Sequence, residues 1–91
     1  MPRLSKPIWT WLPGYFISTN DTFDMGLETM VFPAAPDAGE REGFWGVRAH
    51  GVNFGKPYEE YTRHYATVML AREGHKEVVK LVKERIKNEK S

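Results

Sequence analysis

The stretch YATVMLAREGHKEVVKLVKERIKN, residues 65–88, decides the fold. Thr67 is a good helix N-cap, because its hydroxyl can accept from a free backbone N–H of the first turn. No proline follows it, and most of the residues after it favour a helix. With successive residues turned by about 100°, Val68, Ala71, His75, Val78, Val79, Val82 and Ile86 fall within one arc of about 100°. Leu70, Gly74 and Leu81 widen that arc on one side. An apolar stripe of this width needs a sheet or a second helix to cover it. The stretch therefore predicts one long C-terminal helix packed on the rest of the chain.

Two residues on or beside the apolar arc stand out. Gly74 costs roughly 1 kcal/mol relative to alanine in a helix interior, which close approach of the helix to a strand backbone would justify. His75 sits near the middle of the arc. It reads either as a catalytic base in a buried pocket or as a core histidine hydrogen-bonded to a hydroxyl, a carbonyl or water, and the second reading is favoured. Thr67 and His75 are thus expected as buried structural polar residues. The opposite side of the helix carries a basic stripe of Arg72, Lys76, Lys80, Lys83 and Lys87, with Glu73, Glu77 and Glu84 beside it. Charge pairs three residues apart, such as Glu73 with Lys76, are worth a few tenths of a kcal/mol each. The stripe reads first as a solvated helix face and second as a surface for phosphates or an acidic partner. The absence of aromatic residues from the helix argues against nucleic acid, since no ring is available to stack on bases.

Ninety-one residues make one small domain, and a chain this short has a modest core that association can supplement. The net charge is +1. From Val68 onward seven basic residues face four acidic ones, and before it six face eight, so a basic end and an acidic end could attract each other in different copies. The chain has no cysteine, which removes disulfides, thiolate metal sites and cysteine nucleophiles and fits a reducing cytoplasm. No apolar run is long enough to span a membrane, and the start of the sequence lacks the apolar core of a signal peptide.

Working back from the helix, all twelve aromatic residues lie at or before Tyr65, so the first two-thirds is expected to be the β-rich part. Residues 1–7, with Pro2 and Pro7, read as a flexible tail, and residues 8–91 as the domain. Trp9 and Trp11 alternate around Thr10 before Pro13-Gly14, the pattern of a short edge strand with both indoles on one face, or of an anchor that packs on the domain or on another subunit. Tyr15 to Thr19 and Leu27 to Phe32 read as an antiparallel hairpin, turning within the Asn20–Gly26 segment. In that hairpin Leu27, Thr29 and Val31 share one face, and Glu28, Met30 and Phe32 the other. Pro33 to Gly43 reads as a surface loop, Phe44 to Ala49 as a third strand, and His50 to Pro57 as a mobile connection able to close over a ligand. Tyr58 to Tyr65 reads as a last strand leading into the helix. The expected fold is α+β: an antiparallel sheet of three to four strands with one long C-terminal helix on one face.

Two stretches, Ser18-Thr19 followed by Glu28-Thr29-Met30-Val31-Phe32, and Tyr65, Thr67, Ala71, Gly74-His75 and Val79, occur in an order that resembles a group of small uncharacterised proteins of tailed bacteriophages and prophages. These carry an ST…ETMVF hairpin and a Y-x-T motif followed by a helix with A-x-x-G-H. The matched positions cover about half of the chain. Val68, Met69 and Leu70 replace the acidic first turn usual in that group, and the 33–57 segment is longer and richer in glycine and aromatic residues. The resemblance implies a phage-type origin and an α+β fold, and it carries no activity to transfer.

No catalytic signature is present. His50, His64 and His75 have no helical metal-pair spacing, and Asp21 and Asp24 lack the calcium-loop pattern. Neither a metal nor a cofactor is therefore expected. A site joining Glu28, His64 and His75 is conceivable but not favoured. The leading expectation is a non-enzymatic interaction protein that binds a host or phage protein, or assembles with itself, through Trp9, Trp11, Phe44, Trp45 and Phe54. The surplus of large rings for so small a core supports it. The second expectation is a protein that binds or sequesters a small anionic ligand such as a nucleotide, through Arg48, His50, Lys56, Tyr58 and Arg63. A nucleic-acid binder using the basic stripe, and an enzyme, follow in that order.

Overall fold

A computed structural model describes residues 4–22 and 24–90. It shows an α+β arrangement: a five-stranded antiparallel sheet with one long helix across it. The strands are β1 (Ile8–Leu12), β2 (Tyr15–Thr22), β3 (Gly26–Gly43), β4 (Gly46–Val52) and β5 (Arg63–Tyr65), and the helix is α1 (Val68–Glu89). The sheet order is β1-β2-β3-β4, and β5 pairs with the first part of β3.

The helix starts where its sequence asks it to. Thr67 has extended backbone angles and its Oγ1 accepts from Leu70 N at 3.1 Å. Ala71, His75, Val78 and Val82 are buried against the sheet. On the sheet side alternate residues meet the helix: Tyr15, Ile17 and Thr19 on β2 and Leu27, Thr29 and Val31 on β3 are buried, with Ile17 opposite Val31 and Thr19 opposite Thr29. The main core joins Tyr15, Ile17, Val31, Val78 and Val82. A second cluster at the start of the helix joins Leu27, Ala71 and Leu4. Of the tail expected over 1–7, residues 1–3 lie outside the described residues, and Leu4 packs in this cluster.

Three local expectations are corrected. The segment from Pro33 to Gly43 is not a loop but the continuation of β3, so that β3 is 18 residues long. Its prolines and glycines mimic a loop because they sit where a strand tolerates them. Pro36 lies beyond the last β2 partner, where no neighbour needs its missing N–H. The register with β4 slips between Ala34 and Gly39, where Gly51, at φ +78°, lies close against Ala38. The connection expected from His50 to Pro57 begins only after Val52, because β4 runs that far. The last strand is only Arg63–Tyr65, preceded by a one-turn helix at Glu59–Tyr61.

The outcome is an elongated molecule, 44 × 32 × 19 Å. The hairpin of β3 and β4 runs past the end of β2 as an arm, while the helix-covered part of the sheet forms the body.

Candidate interaction surface

The arm ends in Gly43-Phe44-Trp45-Gly46, with Gly43 paired to Gly46. Gly46 takes the reversal in the left-handed region at φ +115°, and no non-glycine residue among the described residues has a positive φ. That leaves the two central positions to large residues. Phe44 and Trp45 are 91% and 94% exposed and meet each other edge-to-face, with ring centroids 4.9 Å apart. Val47 beside them is also exposed. Burying a ring of this size is worth roughly 2–3 kcal/mol, which the folded chain leaves unused at both positions.

The sheet face away from α1 carries a second aromatic group. Trp9 and Trp11 lie on one face of β1, as the sequence predicts, and pack edge-on at 6.5 Å. Both meet Phe16, at 5.5 and 4.3 Å, and Phe32 and Phe54 extend the cluster, 5.0 Å apart. Phe16 and Phe32 are buried, whereas Phe54 is half exposed. Trp11 Nε1 is buried without a hydrogen-bond partner among the described residues. Its ring forms one wall of a cleft of about 490 Å³ at the root of the arm, with Pro13, Ala34, Ala35, Pro36 and Ala38. Of the five expected interface residues, Trp9, Trp11 and Phe54 share this face, and Phe44 and Trp45 form the separate tip.

The third surface lies between β1 and α1. Thr10, His75, Lys76, Val79, Lys80 and Lys83 line a groove of about 390 Å³. His75 is buried and closes its floor. Its Nε2 lies 2.8 Å from Thr10 Oγ1, and its Nδ1 lies 2.7 Å from Thr19 Oγ1. Thr19 in turn bonds Thr29, and the Tyr65 hydroxyl donates to Thr29 at 3.0 Å. With Tyr65 as the donor, each buried O–H has an acceptor only if the chain runs one way: Tyr65 to Thr29, Thr29 to Thr19, and Thr19 to His75 Nδ1. The imidazole then carries its proton on Nε2 and donates to Thr10. Desolvation by burial holds the His75 pKa below its usual value, in keeping with a neutral ring between two hydroxyls.

His75 is thus the buried structural polar residue that the sequence predicts. Thr67 is a correction: it caps the helix but is exposed, since its partner is a backbone N–H at the open first turn. Gly74 allows a close approach, although to a ring rather than a strand backbone, because a Cβ there would overlap the Tyr65 side chain. Glu28, His64 and His75 do not meet. Glu28 Oε2 and His64 Nε2 are 2.8 Å apart, but Glu28 belongs to the opposite sheet face from His75.

The expected anion-binding residues are dispersed. Arg48 and His50 are exposed on β4, with His50 Nε2 3.9 Å from Asp37. Lys56 is exposed in the connection after β4. Arg63 bonds the backbone carbonyls of Glu60 and Thr62. Tyr58 packs on the main core. Tyr58 lines a pocket of about 280 Å³ with Pro13, Tyr15, Ile86 and Glu89, to which none of the other four contributes. Of the basic stripe, Lys76, Lys80 and Lys83 line the β1 groove, and Lys76 pairs with Glu73 at 3.5 Å. Arg72 and Lys87 are exposed and do not line it.

Sequence reasoning missed one cluster. Arg85 lies over the rings of Tyr58, Tyr15 and Tyr61 at 4.9, 5.7 and 5.9 Å, and the Tyr15 hydroxyl donates to Glu89 at 2.7 Å. Burial, with help from the Glu89 hydrogen bond, pushes the Tyr15 phenol up to about 12. Its signal was the i,i+4 spacing of Arg85 and Glu89, but the tyrosines come from distant parts of the chain. No helix among the described residues is long and apolar enough to cross a membrane. No protein-family model, curated protein or solved structure gives a significant match to the chain.

Proposed function

We propose that this is a non-enzymatic interaction protein of phage or prophage type, acting in the cytoplasm of a bacterial host. It holds another protein chain, from the host or a further copy of itself, through the aromatic tip of its arm. The observation that carries the reading is the near-complete exposure of Phe44 and Trp45 at the end of a paired arm. Two such rings gain little for a lone molecule in water and have high value in a contact, where buried aromatic anchors dominate. The cluster of Trp9, Trp11 and Phe54 near the root of the arm extends the apolar surface. The engagement of both His75 nitrogens by threonine hydroxyls supports a structural role for the histidine most suited to chemistry.

The test is affinity capture from host lysate by the wild-type chain and by a Phe44→Ser/Trp45→Ser variant in parallel. The expected outcome is a stoichiometric partner on the wild type that is absent from the variant, with both melting alike. A partner held equally by both ends this reading, and so does the absence of any partner from a wild type that is also monomeric.

A second reading has one specific observation in its favour. The groove beside Lys76, Lys80 and Lys83 would suit a small anion such as a nucleotide. Titration with a nucleotide panel, followed by backbone amide shifts, should move Thr10 and His75 if that reading holds. It fails if no shift appears.

A further inference from the structure

Strand β1 ends the sheet, and among the described residues nothing pairs with its outer side. A bare edge of this kind is a template for another strand. Its helix side is walled by the three lysines of the groove. Lys76 is held by Glu73, while Lys80 and Lys83 have no ion-pair partner among the described residues. The strand that would add here is one with an open edge of its own and carboxylates two residues apart.

The chain contains such a strand. The side of β3 that faces β2 is paired as far as Pro33, and Ala34 N still reaches Gly14 O at 3.0 Å. From Ala35 to Gly43 that side is unpaired among the described residues, because β4 occupies the other. The same segment carries Asp37, Glu40 and Glu42 against the single Arg41, all exposed. A molecule cannot use its own arm, since β2 stands between β1 and β3 in the same sheet. Pairing β1 with the β1 of a second copy across a two-fold axis normal to the sheet would put both helices on one side. Two lysine rows would then face each other. The outer edge of β4 offers Arg48 and His50 instead of carboxylates.

We propose that the protein forms a reciprocal dimer in which the open side of each arm, within residues 35–43, lies along β1 of the other copy. Glu40 and Glu42 then meet Lys80 and Lys83. The arrangement is isologous and closes after two copies. The five residues of β1 span about 17 Å, which the extended end of the arm matches. Four tip rings, at roughly 150–250 Å² each, bring about 600–1,000 Å² to the contact beyond the paired backbone, close to what a specific interface needs. The inference rests on the arm being the contact element and adds what the arm contacts.

Sedimentation equilibrium across a concentration series tests it, on the wild type and on two charge reversals, Glu40→Lys/Glu42→Lys and Lys80→Glu/Lys83→Glu. All four positions are exposed, and circular dichroism checks that each variant is folded. The wild type should be a dimer, and each reversal should weaken it by about tenfold or more. An equimolar mixture of the two variants should recover a mixed dimer, because both contacts then join opposite charges again. A monomeric wild type overturns the proposal, and so does a dimer that survives either reversal or a mixture that stays apart. The Phe44→Ser/Trp45→Ser variant separates this inference from the reading of the tip. A monomeric wild type whose tip still captures another protein leaves that reading standing. A charge-sensitive dimer that the tip variant leaves intact supports the arm edge and removes the tip.

Discussion

Strand β3 has two halves built to different ends. From Gly26 to Pro33 it has β2 on one side, β5 on part of the other, and α1 across one face. There Leu27, Thr29 and Val31 are buried, and the Thr29 hydroxyl is joined to Thr19 and Tyr65. From Ala35 to Gly43 the same strand has β4 alone and ends beside two bare aromatic rings. The first half satisfies its own backbone and side chains, and the second leaves both an edge and a hydrophobic tip unspent. Stability should therefore depend on the body and association on the arm. Mutations in the two halves should divide along that line.

The largest effect is expected in the body. Ile17, fully buried opposite Val31, should cost about 2–5 kcal/mol on Ile17→Ala, from lost apolar burial and the cavity left behind. Urea unfolding should show it as a lower midpoint with an unchanged slope. A loss under 1 kcal/mol would mean that the body is not the rigid half of the comparison.

Next comes Gly74. Alanine should gain roughly 1 kcal/mol in the helix, yet its Cβ would run into the Tyr65 ring. Overpacking of this kind costs about 1–3 kcal/mol, so Gly74→Ala should be destabilising on balance. In a Tyr65→Ala background the same change should become neutral or stabilising, and that reversal of sign is the diagnostic result. Gly74→Ala that stabilises the wild type would show that Tyr65 can move away.

The third expectation concerns acid. The His75 pKa is lowered in the fold by burial, so the unfolded chain takes up its proton first as pH falls. Stability from the neutral ring is complete above its unfolded value of about 6.5 and declines as pH drops from there toward the lowered folded value. Denaturation midpoints measured from neutral pH downward should fall less steeply for His75→Gln than for the wild type. Equal slopes would remove His75 from the account of the body.

The body was largely legible in the sequence. The apolar arc of α1, its Thr67 cap and the alternation of Leu27, Thr29 and Val31 are local periodic signals, and all appear as expected. The arm was hidden because Pro36, Gly39 and Gly43 carry the signature of a loop. Only the pairing with β4, a nonlocal fact, makes them a strand. The same limit applies to the groove. Lys76, Lys80 and Lys83 were visible as a stripe, but Thr10, which faces them, comes from the far end of the chain. The anion set failed to gather for the converse reason, since Arg48, Lys56 and Arg63 are near one another in sequence but lie on β4, in the connection after it and on β5.

The smallest effect on stability, and the most informative, is expected at the tip. Phe44 and Trp45 are almost fully exposed and, among the described aromatic residues, stack only on each other, so Phe44→Ser and Trp45→Ser should each change unfolding free energy by no more than about 0.5 kcal/mol. The reversal needs only Gly46 in the left-handed region, and serine tolerates the other positions of a turn. Thermal melts of monomeric protein at low concentration isolate this intrinsic effect from any loss of association. A drop of 2 kcal/mol there would show that the rings fold back on the body in solution and would erase the division between the halves of β3. An unchanged melt would show that the chain carries two large rings its own fold does not use, and their purpose would then lie in another molecule.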